Sequence, residues 1–64
     1  MFEQYDDIMT ISDVADALKI GHSQVYHILR TGQLIGYKEG KDWKIARISL
    51  ENYIRKKIKA PLIY

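Results

Sequence analysis

Ser23, Tyr26, His27 and Arg30 stand at i, i+3, i+4 and i+7 in a stretch closed by Gly21 and Gly32. On a helix this spacing makes one stripe. It offers a hydroxyl, a phenol, an imidazole and a guanidinium, with almost no acid nearby. His22 and Gln24 join it at the start, and the Gln24 amide is able to bond an adenine edge. Such a surface suits a polyanion. Taken alone, the stretch fits equally an ordinary amphipathic helix with a solvated polar face, which is the commoner case. Catalysis fits poorly. His22 and His27 are five apart, about 140° around a helix, so they form no metal site by themselves. Ser23 and His27 have hydrogen-bonding spacing, but a nucleophile pair also needs an orienting acid and an oxyanion pocket. A chain of 64 residues leaves little room for a cleft. The expectation is no enzyme, no catalytic residue, no cofactor, no metal and no small-molecule substrate.

The elements around the stripe give it a setting. Val25, Ile28 and Leu29 form an opposed apolar stripe, so the spacing predicts a helix over 22–31 with one buried face. Thr10-Ile11-Ser12-Asp13 has the form of a capping box. Ile11, Val14, Ala15 and Leu18 then repeat at helical spacing, which predicts a first helix over 11–19. Small Ala15 lets a second helix come close. In the short link Lys19-Ile20-Gly21, Ile20 plugs the angle between the helices and Gly21 frees the backbone and serves as N-cap. Two short helices so joined make a helix-turn-helix. In that motif the second helix enters the major groove with its N-terminal residues at base edges.

Gly32 ends this helix, with Leu34 as the hydrophobic contact of a Schellman-type end. Gly36-Tyr37-Lys38 and Trp43-Lys44-Ile45 flank the link Glu39-Gly40-Lys41-Asp42 and read as a hairpin. Tyr37, Lys38, Lys41 and Lys44 place three cations and an aromatic there, in the position of a wing. A third helix follows over roughly 48–59, with Leu50, Tyr53 and Ile54 inward and Ile58 continuing the stripe weakly. Arg55, Lys56, Lys57 and Lys59 crowd its end. They complement the helix dipole, and they suit a phosphate or partner contact equally well. The chain thus divides into an N-terminal arm (1–9, loose, with a short extended piece at Ile8-Met9), a folded domain (10–59) and an apolar tail (60–64). The tail packs either on the core or on a partner.

Composition points the same way. Residues 1–18 hold five acids and no Lys or Arg, whereas residues 19–64 hold ten bases and three acids. Segregated positive charge focuses potential on one part of the surface, and nucleic acid is the usual partner. There is no cysteine, so no disulfide or thiolate site supports the fold. No run approaches the ~20 apolar residues of a membrane span, and the acidic N-terminus lacks signal-peptide order. A cytoplasmic, nucleoid-associated protein is expected.

From Met9 to Ile54 the chain resembles the excisionase-type, MerR-like winged helix-turn-helix family. The resemblance rests on Thr10, Ala15, Leu18, Val25, Tyr26, Arg30, Gly32, Leu34, Tyr37, Gly40, Trp43, Ile45 and Leu50, and on the joint spacing of V-Y, R-x-G-x-L and G-x-x-W-x-I. It implies an α+β winged helix-turn-helix that binds double-stranded DNA through the second helix and the wing, of bacterial, phage or mobile-element origin. Excisionases of this kind bind cooperatively, bend DNA and bias a tyrosine-recombinase integrase toward excision. A small transcriptional regulator on the same scaffold is the alternative, although MerR-type regulators add a long dimerisation helix and an effector domain. The chain departs from the family at His22-Ser23-Gln24 and His27, where arginines are common. It departs also at Lys41 and Asp42 on the wing, and at Lys19, where the family has glycine.

Overall fold

The computed structural model describes residues 1–58. The elements are β1 (Ile8–Met9), α1 (Ile11–Leu18), α2 (His22–Arg30), β2 (Tyr37–Glu39), β3 (Asp42–Ala46) and α3 (Arg47–Ile58). The three strands form an antiparallel sheet in the order β1-β3-β2, and the whole is an α+β winged helix-turn-helix. Lys59 and the tail 60–64 lie outside the described residues.

Helix α1 starts where the capping box puts it. The Asp13 N–H donates to Thr10 Oγ1 at 3.1 Å, and the Thr10 N–H donates to Asp13 Oδ2 at 3.1 Å. The helix stops one residue earlier than its periodicity predicts. Lys19 turns left-handed, at φ 58° and ψ 46°. The Ile20 N–H then reaches the Ala15 carbonyl at 3.0 Å, and the Lys19 N–H reaches that of Asp16 at 3.3 Å. That bond pair is a Schellman closure with lysine where glycine is favoured. Ile20, half-buried, packs on the core from the corner it was expected to fill.

Gly21 caps α2 at φ −77° and ψ 162°, without a side-chain bond. Any residue adopts this geometry, so the glycine's freedom is not used there. At the other end Gly32 has φ +80°, and the Leu34 N–H bonds the Ile28 carbonyl at 3.0 Å. This closure is one residue wider than a Schellman end. It still buries Leu34 in the core with Met9, Val14, Ala15, Val25, Ile28, Leu29, Ile45 and Leu50. Each large side chain so buried contributes about 1.5–3 kcal/mol.

The hairpin is tighter than the predicted four-residue link. Glu39 and Asp42 belong to the strands and face each other across a two-residue turn, Gly40-Lys41. Gly40 has φ +64° and Lys41 is not among the positive-φ residues, as in a type II′ turn. Gly36 anchors the wing. A Cβ there would stand 3.0 Å from Leu29 Cδ2, 3.1 Å from Ile45 Cγ1 and 3.1 Å from the Lys44 carbonyl oxygen. The absence of a side chain lets β2 start against both α2 and β3.

Two further expectations change. The arm at 1–9 is docked rather than loose. Ile8 and Met9 pair with Ala46 and Ile45, and Met9 is fully buried. The Arg47 guanidinium donates to the Tyr5 carbonyl at 2.7 Å and lies 3.0 Å from an Asp7 carboxylate oxygen. The Arg47 N–H donates to the Asp7 carbonyl at 2.7 Å. The Tyr5 hydroxyl donates to Asp16 on α1. That bond, with desolvation and the field of Asp16 and Asp13 behind it, raises the Tyr5 pKa above the ordinary phenol value. Second, Ile58 does not continue the inward stripe of α3. It is exposed, and only Leu50 of that helix is buried, with Tyr53 and Ile54 half-buried. The core extends only along the first two turns of α3, so the basic end of the helix projects beyond it.

Candidate nucleic-acid interface

Core packing of Val25, Ile28 and Leu29 turns the opposite face of α2 outward. His22, Ser23, Gln24, Tyr26, His27 and Arg30 are all exposed on it, as the two-stripe pattern predicts. Two depressions flank this face. On the wing side, His22 and Tyr26 border a cleft closed by Lys41, Asp42, Trp43 and Lys44, with Thr10, Ile11 and Ser12 of the α1 start at its end. On the other side, Gln24 and His27 border a depression floored by Leu18, Ile20 and Ile28. There Gln33, Tyr53 and Lys57 form the far wall. Ser23 and Arg30 belong to neither.

The wing residues do not form one patch. Tyr37 pairs with Lys44 and Lys38 pairs with Trp43. Cross-strand partners share a sheet face and successive residues alternate. Tyr37 and Lys44 therefore share one face, while Lys38 lies on the other with Trp43. Lys41 occupies the turn itself. Glu39 and Asp42 stand directly opposite each other at the tip. Like charges so placed repel, and they weaken the positive potential of the lysines beside them.

Helix α3 divides its cations. Lys57 lies beside α2, with Nζ 5.8 Å from the centre of the Tyr53 ring. Arg55 and Lys56 instead line a depression with Gln33, Ile35 and Asn52 that contains no α2 residue. Among the described residues the ion pairs join only Met1, Glu3, Asp7, Arg47 and Glu51. Arg30, Lys38, Lys41 and Lys44 are thus free of described acids, which leaves them available to phosphates.

The chain matches the family model of a helix-turn-helix domain over residues 8–58. It belongs to that helix-turn-helix family. The match starts at β1 and ends with α3, so the family's unit includes the strand that docks the arm and the helix that carries Lys57. No curated protein and no solved structure matches the chain. A helix-turn-helix domain with this exposed second helix is a DNA-binding protein. Among the described residues no group of three or more His, Cys, Asp or Glu is placed to hold a metal ion. No described helix is long and apolar enough to cross a membrane.

Sequence reasoning missed several residues that build this interface. Arg47, the first residue of α3, ties the arm and β1 down. Gly36 was only the start of a strand, yet its missing side chain seats the wing. Trp43, Thr10 and Ser12 complete the cleft on the wing side. Gly36 had a legible signal, a glycine opening a β-forming run without being in the turn. Arg47 had none, because its partners are far away in sequence.

Proposed function

We propose that this helix-turn-helix protein is an excisionase, a recombination directionality factor. It binds double-stranded DNA with sequence preference and bends it, and so helps a tyrosine-recombinase integrase excise a mobile element or prophage. Helix α2 enters the major groove. Lys41 and Lys44 of the wing grip the backbone on one side of it, and Lys57 grips on the other. The observation that carries this reading is that bracket: cations flank the recognition helix on both sides. Contacts on both flanks offset the cost of deforming the duplex, which for a bend of 40–90° is on the order of 1–6 kcal/mol. Copies associate cooperatively on neighbouring sites, and the protein works in the cytoplasm at the nucleoid.

The test joins two assays. Circularly permuted duplexes carrying the preferred site should migrate differently according to site position, and added protein should raise integrase-mediated excision of a reporter element. Site binding without bending and without any effect on excision would leave the regulator as the better reading. A divergent promoter beside the gene, rather than an integrase gene, would point the same way.

A further inference from the structure

The two depressions divide the outward face of α2 into three strips, and we propose that the strips have different tasks. This assignment rests on the DNA-binding reading. At about 100° per residue, His22 and Tyr26 lie within about 40° of each other on the wing side. Ser23, His27 and Arg30 fall within about 60° along the crest, and Gln24 lies about 100° past Ser23 toward α3. The cavities agree for the wing side and for Gln24, while His27, on the α3 edge of the crest, also borders the second depression. His22 and Tyr26 share the cleft with Lys41 of the wing turn. Gln24 shares its depression with Leu18, Ile20, Ile28, Tyr53 and Lys57, close to the hydrophobic floor.

A helix lying in the major groove presents its crest to base edges and its flanks to the two backbones. The cleft of His22, Tyr26 and Lys41 is therefore a seat for a backbone phosphate. It joins two cations, Lys41 and Lys44, with a phenol and an imidazole from two elements, and the one acid on its lining is Asp42. Sequence is read by Ser23, His27 and Arg30. Gln24, whose amide could bond an adenine, is set too far toward α3 to reach a base and lies instead beside Lys57 at the second backbone. The polar face is thus a three-residue reader between two grips.

Titrations of a preferred duplex, selected from a random pool, and of an unrelated duplex of equal length test the division over a range of salt. Tyr26→Phe and Lys41→Ala should weaken both duplexes by the same factor. Lys41→Ala should also lower the slope of log K against log salt by about one. Ser23→Ala, His27→Ala and Arg30→Lys should instead collapse the ratio between the duplexes. Loss of a bidentate contact at Arg30 corresponds to roughly 5- to 150-fold. Gln24→Ala should leave that ratio unchanged. The division is overturned if Gln24→Ala changes the ratio, if Tyr26→Phe or Lys41→Ala does, or if the crest variants do not. Failure of the unaltered protein to bind either duplex is a separate result and would sink the DNA-binding reading itself. All the altered positions are exposed, and circular dichroism confirms that each variant is folded before titration.

Discussion

Lys19 is a lysine held where glycine is favoured, and that stores backbone strain in the turn of the helix-turn-helix. Its φ of 58° and ψ of 46° are left-handed. A residue with a Cβ pays about 1–2 kcal/mol there, while glycine pays about 0.5–1 kcal/mol in extra unfolded-state entropy. The difference favours glycine by about 0.5–1 kcal/mol. Lys19 also carries a cation at the end of α1, where the dipole rewards it by about 0.3–1 kcal/mol. The informative comparison is therefore Lys19→Gly against Lys19→Ala, since both lose the charge and only one relieves the backbone. Urea unfolding should find the glycine variant more stable by about 0.5–1 kcal/mol. Near the melting midpoint each kcal/mol corresponds to about 4–8 °C for a domain this size. Equal stability of the two variants, or an advantage for alanine, would refute the argument.

Four other outcomes follow from the same structure. Gly36→Ala should destabilise by about 1–3 kcal/mol in urea unfolding, because the new methyl meets Leu29, Ile45 and a backbone oxygen at 3.0–3.1 Å. Arg47→Ala should cost about 1.5–3 kcal/mol through its lost charged hydrogen bond to the Tyr5 carbonyl. It should also speed amide exchange at Ile8 and Met9 more than at Val25 or Ile28. Asp42→Asn removes one of the two facing acids at the wing tip. Fluorescence anisotropy should find tighter DNA binding at low salt and little gain near 1 M salt, where screening acts within about 3 Å. Tyr5 has a raised pKa in the fold, so its hydrogen bond to Asp16 contributes fully below the unfolded phenol pKa and is lost as pH rises through the folded one. Melting temperature should therefore fall on the alkaline side of about pH 10, and less so in Tyr5→Phe.

Local rules carried much of this structure. The capping box at Thr10 and Asp13, the paired stripes of α2 and the glycines at 32 and 40 each act over a few residues. A sequence displays such causes directly. The exposed face of α2 was legible for the same reason, since 3.6-residue spacing decides which side chains oppose Val25, Ile28 and Leu29. What escaped depends on distant partners. Ile8-Met9 was legible as a short extended piece, but not its pairing with Ile45-Ala46, far along the chain. Arg47 acquires its role from Tyr5 and Asp7, some forty positions earlier. The length of α3's buried stripe depends on where the rest of the core stops, so Ile58 looked inward in the sequence and lies outside it in the fold.

The pairing of Ile8-Met9 with Ile45-Ala46 also has a consequence for synthesis. Both helices of the DNA-binding motif lie between these two strands in the chain. As the chain leaves the ribosome, residues 8–9 emerge early and have no neighbour to bond. The capping box and the helix stripes are local in sequence, whereas the pairing of β1 with β3 is long-range and carries the larger loop-closure cost. Met9 and Leu34 have their place in the core, but the sheet closes only after Ala46 has cleared the exit tunnel. Until then the recognition helix has nothing to aim it, because the wing and the core residue Ile45 arrive only with β3. Competence to hold DNA is therefore an all-at-once property of the finished domain, acquired when its first strand meets its last.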